Sequence, residues 1–426
     1  MPVGTYEVTI EGPGMAKYTQ KGVAVTVGAK LDLPVKLALA TQTTTVTVTG
    51  EAPILETTRT AVSTTVDSMS VASLPVNGRN FIEFVLLTPG VTRDPRTGDI
   101  SFGGQRGTLN SLTVDGADDN NTFFRQTSGR TGSGRAPYQF SQDAVQEFQV
   151  NSNGYSAEFG HAGGAIINVV TKSGTNNLHG TAFEFYRDRG LAANDPIVKL
   201  NHALNPANSL RKPGYHFHQF GGNVGGPILK NRAFFFFDYG GQRNTQLNPV
   251  VLSIPTIATP TTFQQQAIAY LQARADSWTR GLNQDTYLLK GDLKVSQNHL
   301  LSVRWNRQNF TGLGFENGGT TNSAEHTGGS LVNSDTVSGS LTSTLSTTIV
   351  NVFCYNWQRD NEPGQANSNL PEATVRQNSV TLLVVGRNFF SPRFTNISRH
   401  QFADIVAVSR RRHSFNLAPT SFMTAS

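Results

Sequence analysis

From Leu178 onward the chain keeps one pattern, with apolar side chains at every second position and polar or charged ones between. Within 285–295, Tyr287, Leu289, Gly291, Leu293 and Val295 share one face, and Thr286, Lys290, Asp292 and Lys294 the other. Past the turn Ser296-Gln297-Asn298-His299, Leu301, Val303 and Trp305 oppose Ser302, Arg304 and Asn306. A period of two is the signature of a strand whose faces meet different surroundings. The stretches are about as long as a tilted strand that crosses a bilayer. A soluble sandwich needs no charge on the second face of every strand, whereas a membrane barrel, apolar outside and polar inside, does.

The same alternation pairs 216–226 with 232–241 across Lys230-Asn231, 336–345 with 348–359, and 402–409 with 413–417. Long polar connections lie at 191–212, 244–284 and 310–330. Short turns at one end and long loops at the other are the habit of outer-membrane barrels. Aromatics gather near strand ends, at 234–237, Tyr239, Trp305, Tyr355 and Trp357, where they could form interface girdles. Charged residues make up only 15%, and 41 Gly stand against 4 Met, which fits a β-rich chain with many turns. There is no apolar run of about 18 residues, so no membrane-spanning helix is expected. The net charge of +6 is spread along the chain, and Arg410-Arg411-Arg412 reads as a charged hairpin turn rather than a nucleic-acid patch. Cys354 is alone and can form no internal disulfide.

Ahead of the alternating region the texture differs. Residues 3–39 read as strands, with Tyr6, Val8 and Ile10, then Val23, Val25 and Val27, then alternate positions from Leu31 to Leu39. Some thirty residues bury too little surface to form a sandwich alone. Asp67 can cap a short helix to Leu74, ended by Pro75. Asn80 can cap a second, with Phe81, Phe84, Val85 and Leu87 on one face and Thr88-Pro89-Gly90 closing it. Residues 145–174 then run from a strand (Val145, Phe148, Val150) through a polar turn and Gly163-Gly164 to a strand at 166–170, closing on Thr171-Lys172-Ser173-Gly174. Paired glycines before a strand permit close backbone approach.

Two blocks in this order, Arg106-Gly107 with Asp115-Gly116, then Gly163-Gly164 with Asn168, Thr171 and Lys172, resemble the plug domain of TonB-dependent outer-membrane receptors. Asn77-Gly78-Arg79-Asn80-Phe81 and Gln219-Phe220-Gly221-Gly222 are similar to the Oar-like branch. The resemblance implies a mainly β chain in four parts: 1–40, the remnant of a carboxypeptidase-regulatory-like, Ig-type module; 41–60, a linker; 61–176, a small α/β plug; and 177–426, antiparallel strands of an incomplete outer-membrane β-barrel. It also implies a cell outer-membrane location, contact with outer-membrane lipid, and a TonB-type periplasmic coupling protein as partner. Thr45, Val46, Thr47, Val48 and Thr49 would then be the TonB box, which pairs with the partner as an added strand. They read equally well as the last strand of the Ig-type module. In the family, plug loops face the ligand entrance, which would put Phe123, Phe124, Arg125, Arg130 and Arg135 within reach of an oligosaccharide, a peptide or a metal chelate. A mobile loop with no ligand role fits the same composition. Arg106 and Lys172 would face carboxylates on the barrel wall, Glu184 being one choice.

The family closes about 22 strands. By alternation about ten are found here. Residues 416–420 read as breaking away into a tail, and 1–4 lack a signal peptide. These features lead to the expectation of a fragment or truncated form.

No enzymatic constellation appears. There is no Gly-Lys pair for a phosphate loop and no Gly-x-Ser-x-Gly elbow. His216-Phe217-His218, with His202 nearby, lacks a defined third ligand. The acids of 115–121 miss the calcium-loop spacing, and Asx turns account for them. Asp118 and Asp119 lack the set separation of a glycosidase pair. No cofactor, metal or nucleic acid is expected. The rival readings are a carbohydrate- or protein-binding β module and a structural outer-membrane protein without transport.

Overall fold

A computed structural model describes residues 3–425 except 30, 32, 34, 40–45, 49–60, 75, 95–98, 123–137, 156–158, 161, 195, 197, 198, 200, 201, 204–211, 213, 253, 255, 256, 378, 411 and 412. The N-terminal sheet holds β1 (Gly4–Ile10), β2 (Tyr18–Val25) and β3 (Val46–Val48), in that order. The alternation from Leu31 to Leu39 gives no strand among the described residues, only a bridge from Met15 to Leu39. Alternation alone does not make a strand where no neighbour supplies a ladder of hydrogen bonds.

A five-stranded sheet follows, in the order β4 (Val62–Val66), β9 (Val145–Asn153), β10 (Ile166–Thr171), β7 (Ser111–Val114) and β8 (Ala117–Asp118). A small hairpin, β5 (Val91–Arg93) with β6 (Ile100–Phe102), stands beside it. Helix α1 (Ser68–Ser73) is capped by Asp67, whose carboxylate accepts from Ser70 N at 2.8 Å. The second short helix is a 3₁₀ turn, Phe81–Leu87, capped by Asn80. It buries Phe81, Ile82, Phe84 and Val85 in the core with Phe148 and Val150, while Leu87 lies outside. In a 3₁₀ turn residues three apart eclipse, so Phe81 and Phe84 align and Leu87 passes the edge of the core.

The rest is one large antiparallel sheet, the wall. Its strands follow in chain order: β11 (His179–Asp188), β12 (Tyr215–Leu229), β13 (Ala233–Asn248), β14 (Trp278–Lys294), β15 (His299–Glu316), β16 (Gly328–Ser346), β17 (Ile349–Asn361), and, after β18 (Gly364–Ala366), β19 (Ala373–Gln377) and β20 (Val380–Val385), β21 (Asn396–Arg410). Most run further than alternation marks, because Thr, Asn and Gln at their ends keep the ladder; β13 and β14 still pair at Asn248 and Trp278. The expected tail at 416–420 is instead strand: β22 (His413–Leu417) and β23 (Thr420–Ala425) both pair with β21. Pro419 interrupts this outermost strand, where a missing N–H is tolerated. Among the described residues β11 pairs only with β12, so the sheet is open rather than closed.

The wall has two faces. Phe237, Leu289, Trp305, Val337 and Trp357 form one cross-strand row on the outer face. Leu289, Val303 and Phe353 there are more than 40% exposed. The row Asp238, Leu288, Asn306, Thr336, Gln358 and Arg399 lies on the inner face and is buried against the five-stranded sheet. An open apolar face of this extent is out of place in water and at home in lipid. The aromatic ladder Phe220, Tyr239 and Tyr287 crosses the same outer face.

At the long-connection end the loops fold together. Helix α2 (Thr262–Gln272) is held by a capping box of Thr261 and Gln264, and its Leu271 packs with Leu383 and Val385 of the β19–β20 hairpin.

Candidate functional site

The site is the contact between the enclosed sheet and the wall. After β7 the chain turns at Asp115-Gly116, both with positive φ, +50° and +85°. The turn folds Asp115 back onto the end of β10, where its carboxylate accepts from Thr171 N at 3.0 Å and Thr171 Oγ1 at 2.7 Å. Lys290 Nζ reaches it from β14 at 3.3 Å and Arg304 Nε from β15 at 3.7 Å. Burial alone would raise the Asp115 carboxyl; the two cations and the Thr171 hydrogen bonds hold it below its ordinary range.

Farther along, Asp118 Oδ1 accepts from Arg399 Nη2 of β21 at 2.8 Å and from Asn120 N at 3.0 Å. The same guanidinium donates to Gln358 Oε1, also at 2.8 Å. Asp119 is fully buried, and burial with Asp118 and Asp360 outweighs Arg304 and Arg399, pushing its carboxyl up to about 6. Thr122 N donates to Asp360 at 2.9 Å, and Asn121 donates to Glu362 at 2.6 Å. Thus one short acidic run of the sheet is seated on four wall strands.

The opposite flank is held by a cation of the short turn 77–79, which precedes the 3₁₀ turn Phe81–Leu87. Arg79, at φ +51°, pairs with Asp143 and lies 4.6 Å from the ring centroids of both Phe183 and Phe185 on β11. Tyr138 supplies a third contact, its carbonyl accepting from Gln284 and Gln308 and its hydroxyl from Gln219.

Other sequence-marked residues have local roles. A Cβ on Gly164 would stand 2.4 Å from Asn110 Oδ1, and both glycine amides bond to Leu109 O, so this crossing requires glycine. A Cβ on Gly107 would meet Asp99, and Asn168 accepts from Thr113 at 3.1 Å. The expected polarity of the contact is reversed in part. Arg106 is exposed, and Glu184 faces outward, bonded to His218 at 3.0 Å. Lys172 is close enough to Asp238 of β13 to act on it electrostatically. The strong pairs join carboxylates of the inner sheet to cations of the wall, because Lys290 and Arg304 occupy the inward parity. Strand alternation assigned both to the polar face; nothing in it named Asp115 as their partner. Phe123, Phe124, Arg125, Arg130 and Arg135 lie outside the described residues, as do Thr45 and Thr49. Val46, Thr47 and Val48 form β3, parallel to β2. Among the described residues no group of three or more His, Cys, Asp or Glu is placed to hold a metal, and no helix is long and apolar enough to cross a membrane.

This arrangement, a small mixed sheet held by charge inside a wall with an apolar outer face, is that of an outer-membrane β-barrel protein with an internal plug. The family model for an outer membrane beta barrel domain matches residues 170–280. The TonB-dependent transporter Oar of Myxococcus xanthus is 26% identical over 245 residues, 55% of this chain and 22% of that protein. The outer membrane transporter YddB of Escherichia coli has the same fold with TM-score 0.57 at 14% identity, covering 84% of this chain and 47% of that one. The ferric enterobactin receptor PfeA of Pseudomonas aeruginosa gives TM-score 0.54 at 11% identity, over 85% and 49%. In the part it spans, the chain has the fold of these receptors and is similar in sequence to an Oar transporter, and its place is the outer membrane. It spans less than half the length of each of these relatives. They are transporters and receptors rather than enzymes.

Proposed function

We propose that the chain forms the plug and part of the wall of a TonB-dependent transporter, which captures an extracellular ligand and passes it to the periplasm when the plug is displaced. The observation that carries this reading is the pairing of Lys290, Arg304 and Arg399 of the wall with Asp115 and Asp118 of the plug. Buried ion pairs add little net stability, since desolvation offsets most of the attraction, yet breaking one from a single side is costly. Such contacts fix a position without gluing it, which suits a plug that must hold, shift and return.

The coupling protein would pair with the stretch from Thr45 to Thr49 as an added strand. The far edge of β3 is unpaired among the described residues, which supports that docking mode. The plug segment 123–137, with Phe123, Phe124, Arg125, Arg130 and Arg135, would meet the ligand, an oligosaccharide, a peptide or a metal chelate. Thr122, which leads into it, is anchored on Asp360 near the long-connection end of β17. The domain limits 1–40, 41–60, 61–176 and 177–426 belong to the same proposal.

Cysteine substituted at Thr47 in cells that carry an energised coupling protein tests the reading. Disulfide capture of the coupling protein's C-terminal domain at this position, lost when Val46 and Val48 are changed to proline, is expected. Equal capture in the proline variants, or none in the parent, contradicts it.

A further inference from the structure

Arg304 has donors left over once its contact with the plug is made. Its Nε serves that contact, donating to Ser338 Oγ at 3.2 Å and standing 3.7 Å from Asp115. Nη1 and Nη2 are both buried and have no hydrogen-bond partner among the described residues. An arginine keeps its charge, so it cannot shed the need for partners by losing a proton. Buried charged donors without acceptors are costly, and a guest that accepts from them removes that cost.

The same guanidinium borders a cavity of about 10 Å³, room for one small guest. Two neighbouring cross-strand rows of the wall frame it: Arg304 with Ser338, and Ser302 with Ser340 and Cys354. The plug closes it with the turn at Asp115 and with Ala117. Ser338 Oγ accepts from Nε, so its own proton is free to turn into the cavity. Asp115 is the one acid on the lining, and both its oxygens are engaged by Thr171, with Lys290 on Oδ1.

Donors therefore predominate around this space. A water molecule would accept from two of them, while its own hydrogens competed for the same hydroxyl oxygens. A monatomic anion accepts from all of them and offers no hydrogen. Charge points the same way. Lys290 and Arg304 set two positive charges against the single negative charge of Asp115, and Asp119 offsets part of the excess through space. The small volume shuts out phosphate and carboxylate ligands.

We propose that this cavity is a halide site, occupied by chloride in the cell, in which Arg304 and the hydroxyls of Ser302, Ser338 and Ser340 hold one ion against the plug turn at Asp115-Gly116. The ion completes the hydrogen bonds of the guanidinium and balances two wall cations that share one carboxylate. Seating of the plug on β14 and β15 is thereby tied to halide concentration. Ser302 and Ser340 keep partial exposure and lie near the short-turn ends of β15 and β16, so the ion exchanges with solvent there without unfolding. The site requires no transport step.

Hydrogen exchange of the full chain in detergent, with sodium chloride replaced by sodium gluconate at equal ionic strength, tests the site. Gluconate is too large for the cavity and reproduces screening without binding. With chloride about tenfold above its dissociation constant, amides of 111–117 should exchange about tenfold more slowly than in gluconate, and the effect should saturate. Bromide should act alike, and β1 and β2 should not respond. Ser340→Val removes a donor and fills the cavity while leaving Arg304 and Asp115 in place, and should abolish the response. Ser302→Ala, which adds no bulk, should need several-fold more chloride for the same slowing. In crystals grown with bromide, anomalous scattering should place one ion within hydrogen-bond reach of the Arg304 guanidinium. The proposal is overturned if exchange at 111–117 follows ionic strength alone, if both serine variants respond as the parent does, or if no bromide lies at Arg304. A bromide there, with exchange indifferent to halide, is an adventitious ion only and overturns it as well.

Discussion

Asp115 is the residue on which the contact turns, since it faces Thr171 of its own sheet and Lys290 and Arg304 of the wall. Asp115→Ala leaves the buried Lys290 without its carboxylate and takes from Arg304 its nearest one, and should cost about 3–5 kcal/mol in urea unfolding. Adding Lys290→Met should recover part of that loss, as coupled neighbours do. No recovery would mean that the pair does not interact. Asp119 carries the opposite sign. Its folded carboxyl titrates at about 6, above its ordinary value, so folding is penalised above that pH and relieved as pH falls toward 4. Asp119→Asn should therefore exceed the parent in stability by up to about 3 kcal/mol at pH 8, with the gap closing by pH 4. A gap that does not vary with pH contradicts the assignment. At this scale the plug resemblance marked Asp115, Gly116, Gly164 and Thr171, and the paired glycines alone were readable as a close approach, because such approaches are local. The sequence did not pair Asp115 with Lys290, since a contact across 175 positions follows from how two sheets meet.

The wall strands were legible one by one because lipid on one face and a polar interior on the other impose a period of two on the chain. Their ends were not, since Asn, Thr and Gln carry strand and loop alike. Leu289→Arg, on the outer face of β14, should destabilise the folded state in vesicles by about 2–4 kcal/mol if it lies near the bilayer midplane. The same change at Leu313, near the long-connection end of β15, should cost about 1 kcal/mol or less. Helix α2 escaped the reading of 244–284 as irregular, although Thr261 followed by Gln264 is the mark of a capping box. Thr261→Ala should remove about 1 kcal/mol of helix stability, seen as faster exchange confined to 262–272. Unchanged exchange there would show that packing of Leu271 on Leu383 suffices.

For the molecule as a whole, charge and apolar surface are sorted by face in the middle of the wall: Lys290, Arg304 and Arg399 turn toward the plug, Leu289, Val303, Trp305 and Phe353 away from it, while Phe236 and Leu288 join the plug core. The sequence disclosed that sorting before any contact was known, but not which flank of the plug each charge would hold. Spin labels introduced singly at Val303 and Phe353, and at Thr336 and Asn356, of the chain in lipid vesicles measure the sorting directly through collision with oxygen, which concentrates in lipid, and with a water-soluble nickel chelate. Oxygen should dominate at Val303 and Phe353, and neither reagent should reach Thr336 or Asn356. Ready access of the nickel chelate to Val303 and Phe353 would place that face in water and contradict a wall built to stand in the outer membrane.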